Sequence, residues 1–196
     1  MRSLSLILLS VLLSANLKAA DEPITRIEPP GSHVYRCSPR KEFPAGTRQI
    51  LFVCSGNYFR SRYAEAYFNC LSDRAGAPFH AISRGVRVGD HDTNVSPLTS
   101  YRMAERNIDP AYLYSLSKQI QWEDVDPSAW VIGMNRSEHR SWIYGLFPDQ
   151  DSELRLREET GLLRFWNVPD ASGPVDGDRS LDQIEAQVDQ LFKVLQ

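Results

Sequence analysis

The sequence predicts an α/β protein: a single domain on a doubly wound, four-stranded parallel sheet with helices on both faces. Three observations predict it. Short apolar runs alternate with stretches of helical spacing, the order a parallel sheet needs because each crossover must carry the chain back to the same end. The first run, Gln49–Val53, is apolar in the manner of a strand buried on both faces. The length, 196 residues, suffices for one filled core and is short for two.

The chain begins MRSLSLILLSVLLSANLKAA. Arg2 precedes an apolar stretch from Leu4 to Leu13, and small residues follow at Ser14, Ala15, Ala19 and Ala20. This is the layout of a secretory signal peptide over 1–20, cleaved near Ala19 or Ala20; the apolar run is short for a membrane span. An uncleaved interfacial anchor is the alternative. The expectation is an exported protein, periplasmic or secreted, with no stable membrane insertion after cleavage. Residues 21–47 carry Pro23, Pro29, Pro30, Pro39 and Pro44 with Gly31 and Gly46 and read as an extended segment with little regular structure. The folded domain is expected over 48–196.

Within it, Gln49–Val53 (QILFV) is the first buried strand. A helix follows over Arg60–Leu71, with Ala64, Tyr67, Phe68 and Leu71 at helical spacing. Phe79–Ser83 reads as the second strand and Pro97–Arg106 as a helix. Ala129–Met134 is the third strand, followed by a helix with His139, Trp142, Ile143 and Phe147 near one face. Leu163–Val168 is the fourth strand. Leu181, Ile184, Val188, Leu191 and Leu195 form the apolar stripe of a last helix. Trp122, Trp130, Trp142 and Trp166 read as core or rim packing.

Composition narrows the function. The chain is 42% apolar and 24% charged, with net charge −3, so it offers no basic face for nucleic acid. His33, His80, His91 and His139 lack metal-ligand spacing, so neither a metal nor another cofactor is expected. The cysteines are Cys37, Cys54 and Cys70. Three is odd, so at least one thiol is left over unless chains are joined. A Cys37–Cys70 bridge and a pair of free thiols both remain open.

Cys54 stands where ligands gather in open parallel sheets, at the carboxyl end of a strand. The loop after it is CSGNYFRS, Cys54–Ser61. Gly56 and Asn57 tolerate left-handed backbone angles, so the loop can turn successive N–H groups inward as an anion nest. A helix beginning near Arg60 or Ser61 aims its positive end at the same point, and Arg60 adds a planar fork matching two phosphate oxygens. Such donors favour the thiolate of Cys54, with Ser61 Oγ as a further donor. Ser55, Gly56, Asn57, Tyr58, Phe59, Arg60 and Ser61 are the expected phosphate-binding residues. The chemistry that suits this arrangement is in-line attack on a phosphate ester, giving a phosphocysteine that water hydrolyses.

The stretch VCSGNYFRSRYAEA resembles the phosphate loop of the low-molecular-weight protein tyrosine phosphatases, V-C-x-G-N-x-C-R-S-x-x-A-E-A. Val53, Cys54, Gly56, Asn57, Arg60, Ser61, Ala64, Glu65 and Ala66 match. ISRG (82–85) is similar to the family's S-A-G, Trp130–Trp142 to its strand-then-helix V-M-D-R-S, and NVPDASG (167–173) to its acid loop, V-P-D-P-Y-G. The resemblance covers Gln49 to the C-terminus and implies the low-molecular-weight phosphatase fold. It also implies that Asp170 is the general acid, completing the expected catalytic set of Cys54, Arg60 and Asp170; its position after a strand puts it at the same sheet edge. The implied partner is a phosphorylated protein or small phosphate ester.

Four positions depart from the pattern. Phe59 stands where the family has a second cysteine, which removes a disulfide to the nucleophile there. Ala171 and Ser172 replace the proline and tyrosine after the acid, which removes an aryl wall. Asn135 replaces an aspartate. The expected function is hydrolysis of phosphate monoesters, of protein phosphotyrosine or aryl phosphates. The alternatives are arsenate reduction on the same fold, with Cys37 and Cys70 as the only further thiols, and a phosphate- or phosphopeptide-binding module with impaired catalysis.

Overall fold

A computed structural model describes residues 35–89 and 95–196; the expected leader and the first part of the proline-rich segment lie outside the described residues. Strand β1 spans Arg48–Cys54 and β2 spans Phe79–Gly85, with helix α1, Arg60–Ala75, between them. Helices α2 (Pro97–Glu105) and α3 (Trp122–Val125) precede β3, Ser128–Gly133. Helices α4 (Arg136–Leu146) and α5 (Asp151–Glu159) lead to β4, Leu163–Phe165, and α6, Pro174–Leu195, ends the chain. The sheet order is β2-β1-β3-β4 and every pairing is parallel, as the alternating pattern predicts.

The period of two in β1 divides the core. Ile50, Phe52 and Cys54 join a cluster with Tyr63 and Phe68 of α1 and Leu181, Ile184 and Val188 of α6. Leu51 and Val53 join Val125 of α3, Ile143 of α4 and Leu154 of α5 on the opposite face. The stripe of the last helix is therefore core packing. Because β1 has β2 on one side and β3 on the other, the chain reverses its winding direction beside β1. A crevice opens at the carboxyl end of the strand where that reversal occurs, and Cys54 is the last residue of that strand.

Several boundaries differ from the sequence reading. α1 runs one turn past Leu71, to a Gly76 cap at φ 61. β4 stops at Phe165, three residues early, although Trp166 N–H still donates to Gly133 O and Val168 N–H to Met134 O. Those bonds carry the chain past the sheet edge toward Cys54. α5 went unpredicted because DSELRLREE buries only Leu154 and Arg157, too few for an apolar stripe. On α4, His139 and Ile143 are buried while Trp142 is 45% exposed, which puts it on the rim side of the core-or-rim reading.

Residues 35–47 hold no helix or strand apart from an isolated bridge, Cys37 to Ile108. They are nevertheless tied down. Cys37 is joined to Cys70 of α1 by a disulfide. The Arg40 guanidinium pairs with Asp73 and donates to Ser72 Oγ and Ala77 O. Among the described residues no helix is long and apolar enough to cross a membrane.

Candidate active site

The loop 55–59 joins β1 to α1, and Asn57 at its centre decides its shape. Asn57 is fully buried at φ 52, the left-handed region that asparagine tolerates better than most residues. Its amide then works in both directions. Nδ2 donates to Ser83 Oγ at 2.7 Å and Ser61 Oγ at 3.2 Å, and Oδ1 accepts from Lys118 N–H at 2.9 Å. Ser61 Oγ lies 3.0 Å from Cys54 Sγ. Because Ser61 Oγ accepts from Asn57, its own proton is free to point at the sulfur. Ser83 Oγ donates in turn to Glu65 Oε2 at 2.5 Å. Burial pushes the Glu65 carboxyl up to about 7, against the opposing pull of Arg62 and the Ser83 hydrogen bond.

The outer side of the loop is braced by the start of α2. Tyr58 O accepts from Ser96 N–H at 3.0 Å, and Phe59 O from Thr99 Oγ1 at 3.1 Å. On the β2 side, Val86 N–H donates to Cys54 O and Arg87 N–H to Ser55 O, at 2.9 and 2.8 Å. The loop is thus clamped along its length before any ligand arrives.

Arg60, the first residue of α1, is 1% exposed. Its Nη1 donates to Val168 O at 3.0 Å and its Nη2 to Glu138 Oε2 at 2.7 Å. The same Nη2 is 3.1 Å from Asp170 Oδ2. One guanidinium therefore ties the start of α1 to the first turn of α4 and to the segment after β4. The Asp170 side chain is 62% exposed, so it reaches this point from the rim.

His139 sits beside them, fully buried. Its Nδ1 accepts the Asn135 N–H at 2.9 Å, which assigns the ring proton to Nε2. Nε2 lies 3.2 Å from Ser55 Oγ and 3.6 Å from Glu138 Oε2. Burial first, and the Arg60 charge second, push the imidazole down to about 4. The ring is neutral at physiological pH and positions the residue next to Cys54.

These groups surround a cavity of about 180 Å³ lined by Cys54, Ser55, Gly56, Tyr58, Phe59, Arg60 and Asp170. The sequence-predicted trio thus converges on one hollow. Asn57 and Ser61 stand behind its wall, where their side chains hold the loop and the sulfur. Two residues escaped sequence reading, Glu138 and His139. The available signal was their place in the first turn after the third strand, at the sheet edge that also carries Cys54. Among the described residues no three His, Cys, Asp or Glu side chains group as a metal site would need. What the cavity can do is place a sulfur nucleophile, a cation and a carboxyl group around one tetrahedral anion.

The sequence matches the family described as low molecular weight phosphotyrosine protein phosphatase over residues 49–196. No curated protein gives a match. Among solved structures, YfkJ from Bacillus subtilis is 21% identical with a TM-score of 0.64, covering 76% of this chain and 94% of its own. The low molecular weight protein tyrosine phosphatase from T. tengcongensis is 26% identical with a TM-score of 0.60, over 74% of this chain and 98% of its own. The YwlE arginine phosphatase from Geobacillus stearothermophilus is 25% identical with a TM-score of 0.59, over 76% and 92%.

Proposed function

The chain belongs to the low molecular weight phosphotyrosine protein phosphatase family, and from that premise we propose that it hydrolyses phosphate monoesters, protein phosphotyrosine or aryl phosphates, through a phosphocysteine intermediate. The observation that carries this reading is the convergence of Cys54 Sγ, the Arg60 guanidinium and the Asp170 carboxyl group on one cavity. In the first step Cys54 Sγ, as thiolate, attacks phosphorus. The bond to the leaving oxygen breaks, and Asp170 delivers its proton to that oxygen. Arg60 and the loop N–H groups hold the equatorial oxygens, and the Ser61 hydroxyl stabilises the sulfur as it leaves in the second step. There the Asp170 carboxylate takes a proton from water, the water oxygen attacks phosphorus, and the S–P bond breaks to release phosphate.

The disulfide bears on the arsenate alternative. Cys37 and Cys70 are joined to each other and Cys54 is the free cysteine, so reduction of arsenate has no resolving thiol to draw on in this state. The same reading keeps the chain as an exported protein. The apolar run behind Arg2 supports it, and so does the disulfide, a bond that persists in oxidising compartments.

The test is turnover of p-nitrophenyl phosphate and of phosphotyrosine and phosphoarginine peptides by the purified protein and by Cys54→Ser. Loss of all turnover in a variant that melts like the parent supports the mechanism. Undiminished hydrolysis by Cys54→Ser overturns it. Tight phosphate binding by a parent that turns nothing over supports the binding-module alternative instead.

A further inference from the structure

A second hollow, about 330 Å³, opens on the other side of the cradle and shares Ser55 and Gly56 with the catalytic cavity. Val86, Arg87 and Trp142 complete it. Its placement is fixed by backbone bonds, since Arg87 N–H donates to Ser55 O and Val86 N–H to Cys54 O. The Arg87 side chain therefore starts from the backbone that clamps the residue after the nucleophile.

Arg87 is unlike most arginines of the domain. Arg40, Arg60, Arg84, Arg102, Arg140 and Arg157 each face a carboxylate within an ion pair. Arg87 is exposed and, among the described residues, forms no ion pair. Its guanidinium carbon instead lies 5.7 Å from the centroid of the Trp142 ring, within cation–π range. A ring contact orients a guanidinium while leaving its N–H fork available for a planar or tetrahedral anion. Trp142 is itself 45% exposed, on the helix whose His139 holds Ser55. The exposed ring, the cation and the cradle are therefore parts of one continuous surface.

We propose that this hollow is a substrate subsite that receives a carboxylate carried next to the phosphorylated residue, with Arg87 as the binding fork and Trp142 as its supporting wall. The proposal rests on the phosphatase reading and deepens it by naming a substrate class, acidic phosphopeptides. It also accounts for a feature of the acid loop. Ala171 and Ser172 provide no aryl wall on the Asp170 side, so selection falls to the opposite side of the cradle and works through charge.

The experiment compares kcat/KM of the purified full chain on two phosphotyrosine peptides identical except for glutamate or alanine flanking the phosphotyrosine, with p-nitrophenyl phosphate as a reference for turnover. The glutamate peptide is expected to be favoured about tenfold, as one charge-assisted hydrogen-bonded pair warrants. That ratio should fall toward one in Arg87→Gln and toward one in the parent as sodium chloride is raised, because the pair is exposed. Arg87→Glu should invert it. A parent ratio of one with normal p-nitrophenyl phosphate turnover overturns the subsite, as does an undiminished ratio in Arg87→Gln. Absence of all turnover overturns the phosphatase reading instead. In that event the affinities of Cys54→Ser for the two peptides, read by calorimetry, decide the subsite alone, and equal affinities overturn it.

Discussion

Gly85→Ala should cripple the cradle while leaving the fold nearly intact. Gly85 closes β2 opposite Cys54 in the sheet register, and the cradle loop lies directly on it. A methyl group there would sit 2.7 Å from Ser55 O, 2.9 Å from Asn57 N and 2.6 Å from Val88 Cγ2. The valine methyl can swing aside; the two backbone atoms cannot. Ser55 O must retreat by about 0.7 Å to reach the 3.4 Å of ordinary contact. It is held at 2.8 Å by Arg87 N–H, so the whole segment from Ser55 to Asn57 has to shift. Gly85 has little room to move instead, because its N–H donates to Lys118 O and its carbonyl accepts from Ile120 N–H. Overpacking of this kind costs roughly 1–3 kcal/mol of stability, which a domain of this size survives. Displacement of catalytic groups by most of an ångström costs on the order of tenfold to a hundredfold in rate. The assay pairs kcat/KM on p-nitrophenyl phosphate with a urea melt. A variant with parental kcat/KM would refute the idea that Gly85 is glycine because the cradle rests on it.

Three further outcomes follow from the same geometry. Glu138→Gln leaves buried Arg60 with Asp170 as its remaining carboxylate within 4 Å; kcat/KM should fall about tenfold as the guanidinium loses its alignment, and inorganic phosphate should inhibit more weakly. His139 has its folded-state pKa depressed from 6.5 to about 4, so below pH 6.5 the unfolded chain takes up a proton that the folded chain refuses. Stability should therefore fall by up to roughly 3 kcal/mol between pH 6.5 and 4, and denaturant melts of His139→Gln should lose that part of the slope; an unchanged slope would mean the ring protonates freely in place. Reducing the Cys37–Cys70 disulfide, which closes a separation of 33 residues, should cost about 3–4 kcal/mol, read as a lower urea midpoint in the presence of a phosphine; an unmoved midpoint would show that residues 35–47 are held without it.

How far the sequence could be read depended on how locally each feature is encoded. The strand, cradle and helix from Gln49 to Ala66 are contiguous, and their residue types carry their own reasons. An apolar run ends at a thiol, Asn57 takes the left-handed turn, and Arg60 opens the helix. The alternation of strands and helices was equally legible, because burial on both faces of a sheet leaves unbroken apolar runs. The weak points were elements stabilised by partners distant in the chain. α5 buries two side chains and looks like loop, and the last strand looks longer than it is because Trp166 to Val168 keep hydrogen-bonding past the sheet edge. Trp142 was read as core or rim packing, and only the orientation of α4 places it on the rim.

The sequence by itself determined the strand that ends at Cys54, the loop after it and the parallel sheet that presents them, since these depend on neighbours within a few residues and on the period of the apolar pattern. The tertiary structure alone decided what surrounds the Cys54 sulfur. Glu138 reaches Arg60 across 78 positions and His139 reaches Ser55 across 84, and Cys37 meets Cys70 because residues 35–47 fold back onto α1. Such meetings depend on the order β2-β1-β3-β4, which places the ends of three crossovers at one sheet edge. No local pattern encodes that order, because each strand is apolar enough to fit beside any other.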